Sequence, residues 1–252
     1  MATGSDWELS GELSAGLREL SRREGVTLFM TLLAALQTLL YHYTGQSDIV
    51  IGTDVANRNR LETEPLLGFF VNQLALRTDL SGDPTFKDLL KRVSKVCFDA
   101  YRYQDLPFDK LVEALNPDRQ TNHTPVFQLK LVVQNAPAMA IELPLLQLEP
   151  IPIQTNTAKF DLLLDVWDVS PNLILSLSYN SDLFDVGSTK RLLGQLEKVC
   201  SQVVGQPDAH LSDLQKIFIQ LDREWREQDE QKFHNTLHES LKLINRKATA
   251  IA

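Results

Sequence analysis

Hydrophobic residues recur along this chain with two different periods, and the alternation between them predicts the elements. Leu13, Leu17 and Leu20 share one side of a predicted helix from about Ser10 to Glu24, closed by Gly25. Thr27 is placed to cap a second helix, whose Phe29, Leu32, Leu33, Leu36, Leu39 and Leu40 wrap most of its girth before Gly45 stops it. A helix apolar on nearly all sides belongs in an interior, packed against a sheet.

Strand patterns follow. Asp48 to Val55 reads as one strand, then a polar Asn- and Arg-rich loop runs from Ala56 to Glu64. Phe69 to Thr78 reads as another strand, with Asn72 and Gln73 breaking its apolar run. Ser81-Gly82-Asp83-Pro84 turns the chain into a predicted helix from about Pro84 to Tyr103, and Pro107 opens a shorter one to Leu115, which Asn116-Pro117 ends. Val126 to Gln134, Phe160 to Val169 and Leu173 to Asn180 are strand-like; in the last, Leu173, Leu175, Leu177 and Tyr179 alternate cleanly with Ile174, Ser176 and Ser178. The Pro-rich stretch Leu143 to Ile153 suits an edge or connecting segment. A helix from about Gly187 to Val203 comes next. From Leu214 charge and Gln dominate, with Ile217, Leu221 and Trp225, then Phe233, Leu237 and Leu241, spaced by four along one long amphipathic tail helix. This order predicts an α/β sandwich of helices on a mixed β-sheet, residues 1–213, followed by a helical tail, residues 214–252.

Composition adds limits. The 252 residues suffice for one large domain, and 43% hydrophobic with 23% charged is ordinary for a globular chain. A net charge of −8 disfavours nucleic acid and anionic lipid as partners. The longest apolar run, Leu28 to Leu40, contains Thr31, Gln37 and Thr38 and is shorter than the ~20 residues of a membrane span. Residues 1–8 are polar and acidic, unlike a signal peptide, and the two cysteines, Cys97 and Cys200, read as buried thiols; a cytoplasmic location is the expectation.

Self-contained catalytic apparatus is missing from the sequence. No G-x-S-x-G, Walker A, G-x-G-x-x-G or C-x-x-C motif occurs. His234 and His238 lie at i, i+4, a spacing that could hold a metal, but no convincing third ligand accompanies them and solvent-facing helix histidines are common. His42 reads as structural, and His123 and His210 sit in a loop and a turn. Asp161 and Asp165 stand roughly 13 Å apart along a strand, long for an acid–base pair, and read as solvent-facing or loop-holding.

Three segments carry composition that local structure does not require. Leu67 to Arg77 reads LGFFVNQLALR, with an amide that needs partners or water if buried; it fits either a wet cavity or a substrate channel. Tyr103 to Leu111 reads YQDLPFDKL, where Asp105 is placed to cap the helix begun at Pro107. Asn116 to Phe127 reads NPDRQTNHTPVF.

In this order and spacing the three segments resemble the last three core motifs of nonribosomal peptide synthetase condensation domains, G-F-F-V-N-T-x-x-x-R, H/N-Q-D-x-P-F-E and R-D-x-S-R-x-P-L-F. The flanks match too, among them IGTDVANRNR up to Arg60, VVQN at Val132 to Asn135, KFDL at Lys159 and YNSDLFD at Tyr179 to Asp185; the likeness runs from about Trp7 to Leu214. Departures are Gln73 for Thr, Tyr103 for His or Asn, Asp109 for Glu, and an eroded third motif in which Asp118-Arg119 stands as a shifted pair.

The resemblance implies a chloramphenicol-acetyltransferase-like fold of two lobes in a V, of which this chain is the C-terminal one plus a C-terminal helix. It implies that Gly68, Phe70, Asn72, Arg77, Gln104, Asp105, Pro107 and Phe108 line a substrate channel, and that no residue here is itself catalytic or a metal ligand. The family's histidine belongs to an HHxxxDG motif of the N-terminal lobe, and no adjacent His pair occurs in these 252 residues. The expected partners are therefore an N-terminal lobe on another chain and carrier proteins whose phosphopantetheine arms bring the substrates, with no cofactor bound directly. An uncovered inner face also favours a homo-oligomer. The competing reading is a non-catalytic docking module for a carrier or synthetase neighbour, or a remnant gene fragment.

Overall fold

Thr27 and Gly45 bound the apolar helix as their chemistry requires. In the computed structural model, which describes residues 2–58, 61–117, 124–134, 157–227, 230 and 231, α2 spans Leu28–Thr44. The Thr27 hydroxyl accepts from the Met30 amide, and Gly45 takes the left-handed conformation, with φ of 66°, that closes such a helix. Its residues Met30 to Leu39 are all buried. Before it, α1 (Gly11–Arg23) is capped by Ser10. The strand β2 (Asp48–Val55) has the bounds its pattern predicts.

The strand β3 (Asn72–Asp79) starts at Asn72, three residues later than the pattern suggests. Helix α3 (Phe86–Arg102) is capped by Thr85 rather than opened by Pro84, and α4 runs Phe108–Leu115. The strands β4 (Leu129–Gln134), β5 (Leu162–Val169) and β6 (Asn172–Asn180) and the helix α5 (Val186–Gly205) complete the order. One strand has no clear signal in the sequence: Ala2–Leu9 forms β1, an edge strand antiparallel to β6.

The six strands form one mixed sheet in the order β1-β6-β5-β4-β2-β3. The β2, β4 and β5 neighbours are parallel and the others antiparallel. Alternation assigns the two faces. Ile51, Leu76, Leu131, Leu164, Leu175 and Leu177 are buried on the face that carries the helices. The Gln37 side chain of α2 donates to the Thr78 hydroxyl of β3 there, at 2.9 Å. The opposite parity places Asp54, Lys130, Gln134, Asp165, Ser176 and Asp6 on the other face. This is the α/β sandwich the sequence implies, helices on a mixed sheet.

The chain divides into two compact units, Met1–Leu211 and Ser212–Ala252. In the second, helix continues through residue 227 and Lys216 pairs with Asp213 at 2.7 Å. The Pro-rich stretch 143–153, the His234/His238 pair, His123 and the tail pattern beyond 231 lie outside the described residues. No single helix among the described residues is long and apolar enough to cross a membrane.

Candidate functional site

The sequence-predicted residues meet, for the most part, around the first residue of β3. Asn72 ends the β2–β3 ladder as the register partner of Val55. Its carboxamide is fully engaged by main chain: Nδ2 donates to the carbonyls of Gln104 and Leu106, each at 2.8 Å, and Oδ1 accepts from the Phe108 amide at 3.1 Å. The amide that seemed out of place in an apolar strand thus clamps the α3–α4 turn. The N-cap position of α4 is Pro107, which offers no side-chain cap, and the Phe108 amide at the helix start donates to Asn72 of another strand.

Ahead of Asn72, Arg58 organises the loop that carries Gly68 and Phe70. Its guanidinium donates to the carbonyls of Thr63, Glu64, Leu66 and Gly68 and lies 4.3 Å over the Phe70 ring. This fork of donors fixes a loop that has little secondary structure of its own. It leaves Leu67 and Phe69 at the surface, 103% and 91% exposed, an apolar ridge beside the clamped turn.

Phe108 faces Phe127 at 5.4 Å, and Phe127 stacks on Phe160 at 5.8 Å. The third motif thereby reaches the second through its terminal aromatic, Phe127. That ring lies directly on Gly52; a β-carbon there would stand 2.1 Å from Phe127 Cε2. Arg77 is the exception. It stands five residues along β3 from Asn72, about 17 Å away, and forms a two-pronged ion pair with Asp48 at 2.6–3.1 Å. The Arg77 hydrogen bonds hold the Asp48 carboxyl below its usual range.

Sequence reasoning missed the ionic cluster beside these motifs. Lys130 is 7% exposed, its ammonium 2.6 Å from Asp54 and 5.0 Å over the Phe160 ring. Asp165 accepts from Gln134 at 3.1 Å. Burial raises the Asp165 carboxyl pKa, against the lowering effects of the Gln134 bond and the Lys130 charge. Asp165 is half-buried, which departs from the solvent-facing alternative in the expectation for it and leaves the loop-holding one untouched. The available signal was a lysine inside the strand LKLVV, on the parity opposite to its buried leucines.

Cys97 and Cys200 are buried, as expected, and burial pushes both thiols up to about 12, so neither is a nucleophile at neutral pH. Among the described residues no group of three His, Cys, Asp or Glu is placed to hold a metal. His210 is engaged with the Asp83 carbonyl at 2.8 Å. What the arrangement offers chemically is a shaped wall of clamped backbone, aromatic rings and a buried ion pair.

A mixed six-stranded sheet with helices packed on one face carries the motif segments that converge at the start of β3. The family model described as Condensation domain matches residues 4–222, and the chain belongs to that family. It is similar to a component of the linear gramicidin synthase of Brevibacillus parabrevis, 50% identical over 201 residues, which are 79% of this chain and 3% of that protein. Bacitracin synthase 3 of Bacillus licheniformis is 36% identical over 211 residues, 84% of this chain and 3% of the synthase. Among solved structures, the X-domain from teicoplanin biosynthesis superposes with a TM-score of 0.78 at 30% identity, covering 84% of this chain and 49% of the X-domain chain. The chain thus spans a few hundredths of the curated synthetases and about half of that single-domain structure.

Proposed function

We propose that these residues are the C-terminal lobe of a nonribosomal peptide synthetase condensation domain, one wall of a cleft in which carrier-bound thioesters are joined. In that reaction the acceptor amine attacks the donor thioester carbonyl. The C–N bond forms, the C–S bond breaks, and the donor phosphopantetheine thiol leaves. The amine's proton passes to a histidine of an HHxxxDG motif in the other half of the condensation domain. The observation that carries this reading is that the chain covers 49% of the X-domain structure while its 252 residues contain no adjacent His pair.

The wall consists of the Asn72-clamped segment, with Gln104, Asp105, Pro107 and Phe108, and the Arg58-held loop with Gly68 and Phe70. Arg77 stands apart from it, about 17 Å along β3, paired with Asp48. No cofactor binds the lobe directly; carriers present both substrates, in the cytoplasm. Alone, the lobe lacks the general base, a contribution of typically ~10²–10⁴, and half of the positioning surface, so it is inactive by itself.

A second reading has one observation in its favour. The X-domain, 30% identical with a TM-score of 0.76, has been solved in complex with OxyB; by analogy this lobe would be a docking module without chemistry. The test is mixing. The chain is combined with the HHxxxDG-bearing half of a relative's condensation domain and with aminoacyl-loaded carriers, and the carriers are read by mass spectrometry. Dipeptidyl carrier formed only in the complete mixture supports the catalytic reading. Stable binding of carriers or the second half without product favours docking, and neither binding nor product sinks both.

A further inference from the structure

β2 and β4 lie side by side, yet a single register pair, Gly52 with Lys130, joins them. The other neighbouring strands are laddered along their length. Side chains take over where this ladder is short. Phe127 lies on Gly52, and the Lys130 ammonium crosses the seam to Asp54 at 2.6 Å, with its side chain only 8% exposed. The other Asp54 oxygen is buried without a hydrogen-bond partner, so the carboxylate depends on Lys130. One residue beyond Asp54 the strand ends at Val55, the register partner of Asn72, and Asn72 in turn holds the main chain of Gln104, Leu106 and Phe108.

We propose that Lys130 is a positioning residue for the candidate site: its ammonium ties the C-terminal end of β2 to β4 and thereby holds Asn72 and the α3–α4 turn in place. This rests on the reading of that turn as part of the cleft wall. The physical reason is that the Asp54 carboxylate, with one oxygen buried and unbonded and its side chain 29% exposed, turns toward water when the Lys130 ammonium is lost, and the strand end moves with it. The Phe160 ring lies 5.0 Å from the Lys130 ammonium and flanks the pair on one side.

The test is hydrogen exchange read by mass spectrometry on the whole chain, wild type against Lys130→Met, Lys130→Arg and the charge swap Asp54→Lys with Lys130→Asp. In Lys130→Met, exchange rises about tenfold in residues 52–55, 72–74 and 104–108, while 173–179 in β6 keeps its protection. Lys130→Arg stays near wild type, and the swap recovers most of the loss. A rise confined to 52–55 with 104–108 unchanged overturns the proposal, as does a uniform rise over the whole sheet. Should Lys130→Met not fold, the swap decides: protection of 104–108 near wild type supports the tie, and its loss refutes it. In the complemented amide-forming mixture, Lys130→Met lowers kcat with the KM for carriers unchanged, and the swap restores kcat. Restored protection without restored kcat means that Lys130 touches substrate itself, which also refutes a positioning role. If wild type makes no amide while exchange behaves as described, the functional reading fails and the tie stands.

Discussion

Replacing Asn72 with alanine removes three hydrogen bonds at once, two donated to the carbonyls of Gln104 and Leu106 and one accepted from the Phe108 amide. Each is worth about 0.5–1.5 kcal/mol net. The turn is partly exposed, so water recovers some of the loss, and the lower half of the range applies: about 2 kcal/mol in total. For a domain of this size that corresponds to roughly 4–8 °C in Tm. Asn72→Asp separates the contributions. It keeps an acceptor for Phe108 but presents oxygens, not hydrogens, to two carbonyls. The new carboxyl is stabilised protonated, so its folded pKa lies above its unfolded one. That contribution is fully present below the unfolded pKa and is lost as pH rises through the folded one. The Asn72→Asp deficit is therefore larger at pH 7 than near pH 4. Thermal unfolding followed by circular dichroism at both pH values measures it. A Tm for Asn72→Ala within about 1 °C of wild type, or an Asn72→Asp deficit independent of pH, refutes the clamp.

Gly52→Ala places a carbon 2.1 Å from the Phe127 ring and costs about 1–3 kcal/mol by overpacking; trimming the ring with Phe127→Leu recovers part of it, which denaturant midpoints of the single and double variants report. Asp165→Asn raises Tm at pH 7, because burial raises the carboxyl pKa and charging it in the folded state opposes folding; the gain shrinks as pH falls through the raised folded pKa and is gone below the ordinary carboxylate range, and a gain that is unchanged down to that range contradicts the assignment. Arg77→Ala shifts stability by less than about 1 kcal/mol, since its pair with Asp48 is solvent-exposed; a substantially larger loss in chemical denaturation assigns Arg77 a role beyond that pair.

The elements that the sequence displays most openly are those whose own residues satisfy their ends. Thr27 and Gly45 close α2, and the strict alternation of Leu173, Leu175, Leu177 and Tyr179 marks β6. β1 was hidden because Gly4, Ser5 and Asp6 show no apolar period; it is a strand because β6 offers it an edge. Of the motif residues, Asn72 is bonded to Gln104 and Phe108, while Gly68 and Phe70 are held by Arg58. What no local pattern states is the partner of each polar group. Asn72 finds main-chain atoms more than thirty residues away, and Lys130 finds Asp54 across a parallel seam. Arg77 shares a motif with Asn72 but not a location, because a strand carries its fifth residue to its other end.

The central claim is that proton handling in the assembled cleft belongs to a part of the condensation domain outside these residues. Its most direct measurement is single-turnover amide formation between loaded carriers, using this chain with His42, His123, His210, His234 and His238 all replaced by glutamine and checked for folding. Combined with the HHxxxDG-bearing half, the substituted chain is predicted to keep the wild-type rate, while changing the motif histidine of the other half abolishes product. Amide formed by this chain alone, or a loss of about a hundredfold or more when its own histidines are removed from a folded lobe, contradicts the account.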